Sequence, residues 1–130
     1  LYFFEATWQT KEIIIRSKTM INATYDDFLK LEIRVGKIIK AEPFPEARKP
    51  AYKLWIDFGE LGVKKSSAGL TKLYQPEDLI NQLILAVTNF PAKQVANFIS
   101  EVLVLGVVMD EGKVALVQPD QDVTLGKRIF

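Results

Sequence analysis

The 130-residue chain has neither cysteine nor histidine. Without thiols there is no disulfide framework and no thiolate nucleophile or sulfur metal ligand. Without imidazole, the commonest general base and the usual zinc, copper and haem ligand are missing too. Long apolar runs are scarce: none approaches the roughly 18 residues that a membrane helix needs. The opening Leu1-Tyr2-Phe3-Phe4 is too short, with Glu5 close behind, for a secretory signal. Absence of cysteine suits a cytoplasmic chain. Asp57, Glu60, Glu101 and the Asp120/Asp122 pair remain for acid–base chemistry, but none is flanked by a nucleophile or a base. The serines lack a nucleophile-elbow glycine frame, and Gly59-Glu60-Leu61-Gly62 is no phosphate-cradling loop. The expectation is a non-enzymatic protein with no catalytic residues, no cofactor, no metal and no membrane insertion.

What is present describes one ordinary globular domain. Hydrophobic residues make up 48% and charged residues 25%, enough to bury a core without staples. The net charge of +1 hides an asymmetry: residues 30–72 hold ten basic residues against five acidic, residues 73–130 four against seven. That distribution suggests a basic face toward an anionic partner, though lysines and glutamates also simply populate solvated surfaces.

Residues 1–22 read as an N-terminal extension and 23–130 as the domain. The leader is rich in aromatics (Tyr2, Phe3, Phe4, Trp8) with a β-prone Ile13-Ile14-Ile15, and Met20 is a natural start for the better-patterned remainder. It reads as an upstream extension, a linker or a cloning remnant, padding a sheet edge or a subunit contact. Thr24 followed by Asp27 predicts a capped helix over Tyr25 to Leu31. From Glu32 the period becomes two, with Gly36 as a bend or bulge, and Pro43, Pro45 and Pro50 mark a loop. Tyr52 to Gly59 alternates as a second strand, Glu60-Leu61-Gly62 turns, and Val63 to Ala68 returns as a third. Gly69 to Tyr74 predicts a short helical turn, and Pro76 begins another. Gln82 to Thr88 is a buried fourth strand, Ala92 to Ile99 a polar connector and Val102 to Gly106 a fifth strand. Asp110-Glu111-Gly112 turns into a further strand at Lys113 to Val117, and a short run lies near Val123 to Ile129. Five or six short strands with a single helical insertion between the third and fourth predict an all-β, five-stranded barrel of the oligonucleotide-binding (OB-fold) type, with little helix.

Polar residues at the mouths of buried strands are where binding sites lie, which singles out Asn89, Lys93, Ser100 and Glu101. Asn89, Ser100 and Glu101 read either as hydrogen-bonding partners of an exposed base or as caps that satisfy strand ends. Lys37, Lys40, Lys53, Lys64, Lys65, Lys72 and Lys93 offer a cationic track for phosphates, and Trp55, opposite Leu54 and Ile56, either a stacking platform or a contact tryptophan. Phe44, Phe90, Phe98 and Leu73, in or beside loops, suit an apolar peptide site equally well.

Three segments together resemble the tRNA-binding domain family. They are Leu31-Glu32-Ile33-Arg34-Val35-Gly36-Lys37-Ile38, the run from Gly69 to Leu79, and Asn89-Phe90-Pro91-Ala92-Lys93 followed by Ser100-Glu101. Within that family the chain is most similar to the CsaA-type export-associated chaperones, through Phe44-Pro45-Glu46-Ala47-Arg48, Ser66-Ser67-Ala68, Asn89-Phe90-Pro91, Ser100 to Gly106 and Gln118-Pro119-Asp120-Gln121. The resemblance implies an OB-fold RNA site at Asn89, Lys93, Ser100 and Glu101 flanked by Lys37 and Lys72. It also implies a homodimer joined through the Tyr25–Leu31 helix and the C-terminal strands, and a site for unfolded or precursor peptide segments near Phe90, Phe98, Val102 and Leu103. Synthetase-type members carry Ser-Glu-Gly-Met where this chain has Ser100-Glu101-Val102-Leu103, and His-Pro where it has Phe44-Pro45, so its groove is expected to be more apolar. The resemblance thus implies a CsaA-like secretion chaperone, with a tRNA-binding accessory module outside export as the alternative.

Overall fold

The computed structural model describes residues 21–130. The expected packing of the aromatic leader lies outside them. The chain divides into two units, residues 2–31 and 32–130. In the described part of the first, helix α1 (Tyr25–Leu29) forms where the spacing predicts. Asp27 N–H donates to Thr24 Oγ1 (3.1 Å) and Thr24 N–H to Asp27 Oδ2 (2.9 Å), a reciprocal cap. These bonds hold the Asp27 carboxyl below its ordinary value.

The second unit is built on β1 (Ile33–Pro43), which serves two neighbours. Its first half pairs antiparallel with β4 (Leu83–Val87), its second with β2 (Tyr52–Asp57), and β2 with β3 (Val63–Ala68). With β7 (Leu103–Val104) the sheet order is β3-β2-β1-β4-β7, an antiparallel five-stranded barrel that is nearly closed. Each neighbour takes one edge of β1, and a register shift between Ile38 and Lys40 marks a bulge in its pairing with β2. The bulge expected at Gly36 therefore lies just beyond it. Gly36 answers a different need: a Cβ there would stand 2.5 Å from Ile56 Cγ2 and 2.7 Å from Phe58 Cε1. Pro43 closes β1 opposite Tyr52 instead of standing in the loop, as a strand-end proline can.

The alternation read in β2 holds, with Tyr52, Leu54, Ile56 and Phe58 all buried. They meet Ile38, Leu70, Leu79, Ile84, Val102 and Val104 in one core. Helix α2 (Pro76–Leu79) lies between β3 and β4 and sinks Leu79 fully into that core. The helical turn expected at Gly69 to Tyr74 is a single turn, closed by Tyr74 N–H on the Leu70 carbonyl at 3.3 Å. Tyr52 OH donates to the Tyr74 carbonyl (2.8 Å), and Tyr74 OH accepts from Leu116 N–H (3.1 Å).

Two segments depart from the sequence reading. The polar connector folds as a hairpin, β5 (Lys93–Val95) and β6 (Phe98–Ser100), turning at Ala96 with φ +50°. The apolar run from Val102 divides: β7 pairs with β4, whereas β8 (Gly106–Val108) leaves to pair with β9 (Val114–Leu116). Gly106 stands at that corner, where a Cβ would fall 2.5 Å from Val114 Cγ1. The last residues add along β1, with Val35 N–H to the Lys127 carbonyl (3.0 Å) and Ile129 N–H to the Ile33 carbonyl (2.8 Å).

Candidate functional site

The register of β1, β2 and β3 sets out a grid on the barrel's outer surface. Lys40 stands opposite Trp55, and Trp55 opposite Lys65; in the next row Glu42 faces Lys53 and Lys53 faces Ser67. Alternation forces this outcome, because Leu54 and Ile56 take the inward positions and leave Lys53 and Trp55 outside. Lys40 Nζ sits 4.5 Å from the centroid of the Trp55 ring. Phe98, brought across β3 by the hairpin, meets Trp55 edge-on at 5.7 Å and Phe44 at 5.6 Å. Lys65 Nζ lies 5.1 Å from the Phe98 ring, and Lys53 Nζ 5.4 Å from Phe44 and 5.9 Å from Phe98. Three aromatic rings and three lysines from four separate stretches thus form one face. Cations in such positions are attracted to ring faces, by about 0.5–1 kcal/mol each at exposed sites.

Asn89, Ser100 and Glu101, singled out from the sequence, bond to backbone groups at strand ends. Ser67 N–H donates to Ser100 Oγ (3.0 Å), and Ser66 Oγ donates to the Val102 carbonyl (2.9 Å). Lys65 N–H donates to Glu101 Oε1 (3.0 Å), while Glu101 N–H donates to the Lys65 carbonyl (2.8 Å). Ser66 and Ser100 are buried. Together these bonds are the seam along which β3 meets residues 100–102, with side-chain oxygens replacing part of a backbone ladder. Asn89 acts similarly at the end of β4, its Oδ1 accepting from Glu32 N–H at 2.9 Å.

The remaining candidates scatter. Lys93 is exposed on β5, and Lys37 stands opposite Asp57. Lys72 Nζ donates to the Glu111 carbonyl, in a turn where Glu111 has φ +62°. Lys64 lines a cavity of about 180 Å³ with Glu32, Arg34, Phe58, Leu61 and Thr88. Beside it, Arg34 donates from Nη1 to the Gly126 carbonyl (2.8 Å) and from Nη2 to Glu32 Oε1 (2.9 Å). That Nη2 bond outweighs the opposing effect of burial and, with lesser help from the charges of Arg34 and Arg128, holds the Glu32 carboxyl below its ordinary value. Of the apolar candidates, Val102 lies in the core at 2% exposure, Phe98 is buried against its aromatic partners, and Phe90 and Leu103 are half-buried. Glu42 went unnoticed in the sequence, although it stands two residues from Lys40 on the same strand phase. Its oxygens lie 3.1 Å from Lys40 Nζ and 4.0 Å from Lys53 Nζ.

Among the described residues no group of three or more histidine, cysteine, aspartate or glutamate side chains is placed to hold a metal ion. No helix among them is long and apolar enough to cross a membrane.

Comparison with solved structures finds the chaperone CsaA of Bacillus anthracis, 55% identical, with a TM-score of 0.81 over 85% of this chain and 100% of that one. CsaA of Picrophilus torridus is 53% identical, with a TM-score of 0.79 over 84% of this chain and all of the other. Among characterised sequences, the methionine–tRNA ligase of Pyrococcus abyssi is 40% identical over 106 residues, 81% of this chain. The chain spans only 14% of the length of that ligase. Residues 33–128, from the first residue of β1 to the tail that pairs with it, match the putative tRNA binding domain, and the chain belongs to that family.

Proposed function

We propose that the chain is a non-catalytic binding module, CsaA-like, that takes up tRNA and extended peptide segments on the outer face of β1, β2 and β3. The observation that carries this reading is the row Lys40–Trp55–Lys65, an aromatic surface set between two cations. A ring of this kind stacks on any base, while flanking lysines follow the phosphates. Barrels of this architecture bind oligonucleotides on this strand face and the loops beside it. Lys37, Lys72 and Lys93 extend the cationic surface in this proposal. Asn89, Ser100 and Glu101 contribute by fixing the strand ends that carry it. Extended peptides use the apolar side of the same region, through Phe90, Phe98 and Leu103, with Val102 supporting from within.

The chaperone role rests on likeness to proteins described as chaperone CsaA, at 55% and 53% identity over their whole length, and the link to export on the resemblance read in the sequence. We place the protein in the cytoplasm and pair it as a homodimer. Support for pairing comes from the end of β8 and the residue after it, where Val107, Val108 and Met109 leave three consecutive apolar side chains exposed. A module acting on tRNA alone, outside export, is the competing reading, supported by its likeness to part of a methionine–tRNA ligase.

Fluorescence titration with tRNA and with an unfolded precursor peptide, from about 50 to 200 mM salt, tests the proposal. Phosphate-driven binding weakens steeply over that range and apolar capture hardly changes. Lys93→Ala is expected to reduce tRNA affinity and leave peptide affinity nearly intact. Binding of neither ligand at any salt concentration would overturn both readings.

A further inference from the structure

The aromatic–lysine face contains one acidic side chain in ion-pair contact with its cations. Among the described residues, Glu42 bridges Lys40 at 3.1 Å and Lys53 at 4.0 Å, and no other carboxylate forms an ion pair with the ammonium group of Lys40, Lys53 or Lys65. Lys40 is held from two sides, by the Glu42 carboxylate and by the Trp55 ring 4.5 Å away. The cation therefore lies over the ring surface on which a base would stack. An incoming phosphate has to displace Glu42 from Lys40, and an incoming base has to displace Lys40 from Trp55. Both obstacles have a single origin in one carboxylate.

We propose that Glu42 is a specificity-determining residue that limits the access of anions to the Trp55 face. It seats Lys40 on the ring and withdraws two of three lysines from free electrostatic use. Neutral apolar ligands meet no such barrier, because they neither compete for the lysines nor are repelled by the carboxylate. Glu42 thus weights the face away from polyanions and toward uncharged extended chains. In its nucleic-acid part the inference rests on the binding proposed above; its bearing on anions in general does not.

The side chain of Glu42 is 40% exposed, and that of Lys40 is 57% exposed. An ion pair this exposed contributes little to folding, so Glu42→Gln is expected to leave the thermal midpoint unchanged. The sequence has two tryptophans, so a Trp8→Phe background makes Trp55 the sole tryptophan reporter. Two measurements test the role: quenching of Trp55 by iodide and by neutral acrylamide, and binding of a labelled single-stranded oligonucleotide at about 50 mM salt. With Glu42→Gln, iodide quenching is expected to rise clearly more than acrylamide quenching. Oligonucleotide affinity is expected to rise about three- to tenfold, with a steeper salt dependence.

Unchanged iodide quenching overturns the inference whatever the oligonucleotide does. So does an oligonucleotide affinity that stays the same or falls in the variant while the parent binds. If iodide access rises and neither protein binds oligonucleotide, Glu42 keeps its role toward anions and the nucleic-acid reading falls instead.

Discussion

At the seam, Ser66, Ser100 and Glu101 point oxygens at backbone groups and hold β3 to residues 100–102. One strand away, Lys40 points its charge at the half-buried Trp55 ring, and Lys53 and Lys65 point theirs at the buried Phe98 ring. The two regions share Lys65: its backbone N–H and carbonyl belong to the seam and its ammonium to the face. The contrast teaches that polar residues at strand ends serve the fold when burial leaves backbone groups in need of partners. A buried group without its partner costs about 1–3 kcal/mol. Long cationic side chains carry no such obligation, because their ammonium groups can stay within reach of solvent.

Phe98 breaks the division most severely, since it is buried yet belongs to the face, touching both Phe44 and Trp55. Phe98→Ala is expected to cost about 3 kcal/mol in urea denaturation and to loosen the β5–β6 hairpin, visible as faster amide exchange at Val95 and Ser100. The seam itself is tested by Ser66→Ala and Ser100→Ala, each expected to cost about 1–3 kcal/mol. Both hydroxyls serve the Val102 carbonyl, at 2.9 and 3.5 Å, so a double-mutant cycle should be non-additive. If either variant instead weakens RNA binding while keeping full stability, the seam is part of the ligand site.

Lys53→Ala and Lys65→Ala sharpen the other half. Stability is expected to change by no more than about 0.5 kcal/mol, while the slope of tRNA affinity against salt falls by about one for each lysine removed. Glu32 gives the smallest effect. Its folded pKa is depressed, so the stability it contributes is present above its ordinary value of 4.5 and is lost as pH falls through the depressed one. Acid titration followed by circular dichroism should show Glu32→Gln flattening that part of the transition.

The β2 alternation, the capped Tyr25 helix, the turn at Gly62 and the β3 limits could be read directly, because each depends on neighbours within a few residues. The β5–β6 hairpin could not. Its turn at Ala96 and Asn97 lacks the glycine that marks a tight two-residue loop, and Ala96 accepts φ +50° only because the pairing of Val95 with Phe98 holds it there. The division of the run after Val102 was equally hidden, since both halves are apolar and only the positions of β4 and β9 choose their partners. Trp55 and its lysines were visible as residue types; their arrangement in rows was not.

By itself, the sequence determined the residue chemistry and the local periods: no thiol or imidazole, inward Leu54 and Ile56, outward Trp55, and a Ser100-Glu101 pair ahead of an apolar run. Tertiary structure alone decided which of those groups meet. The register of β1 on β2 and of β2 on β3 sets Lys40 and Lys65 on either side of Trp55 and Glu42 against Lys53. Barrel closure turns Ser100 and Glu101 toward β3. Register depends on hydrogen bonds and packing summed between distant segments, and a shift of one residue would move every side chain of a strand to its other face.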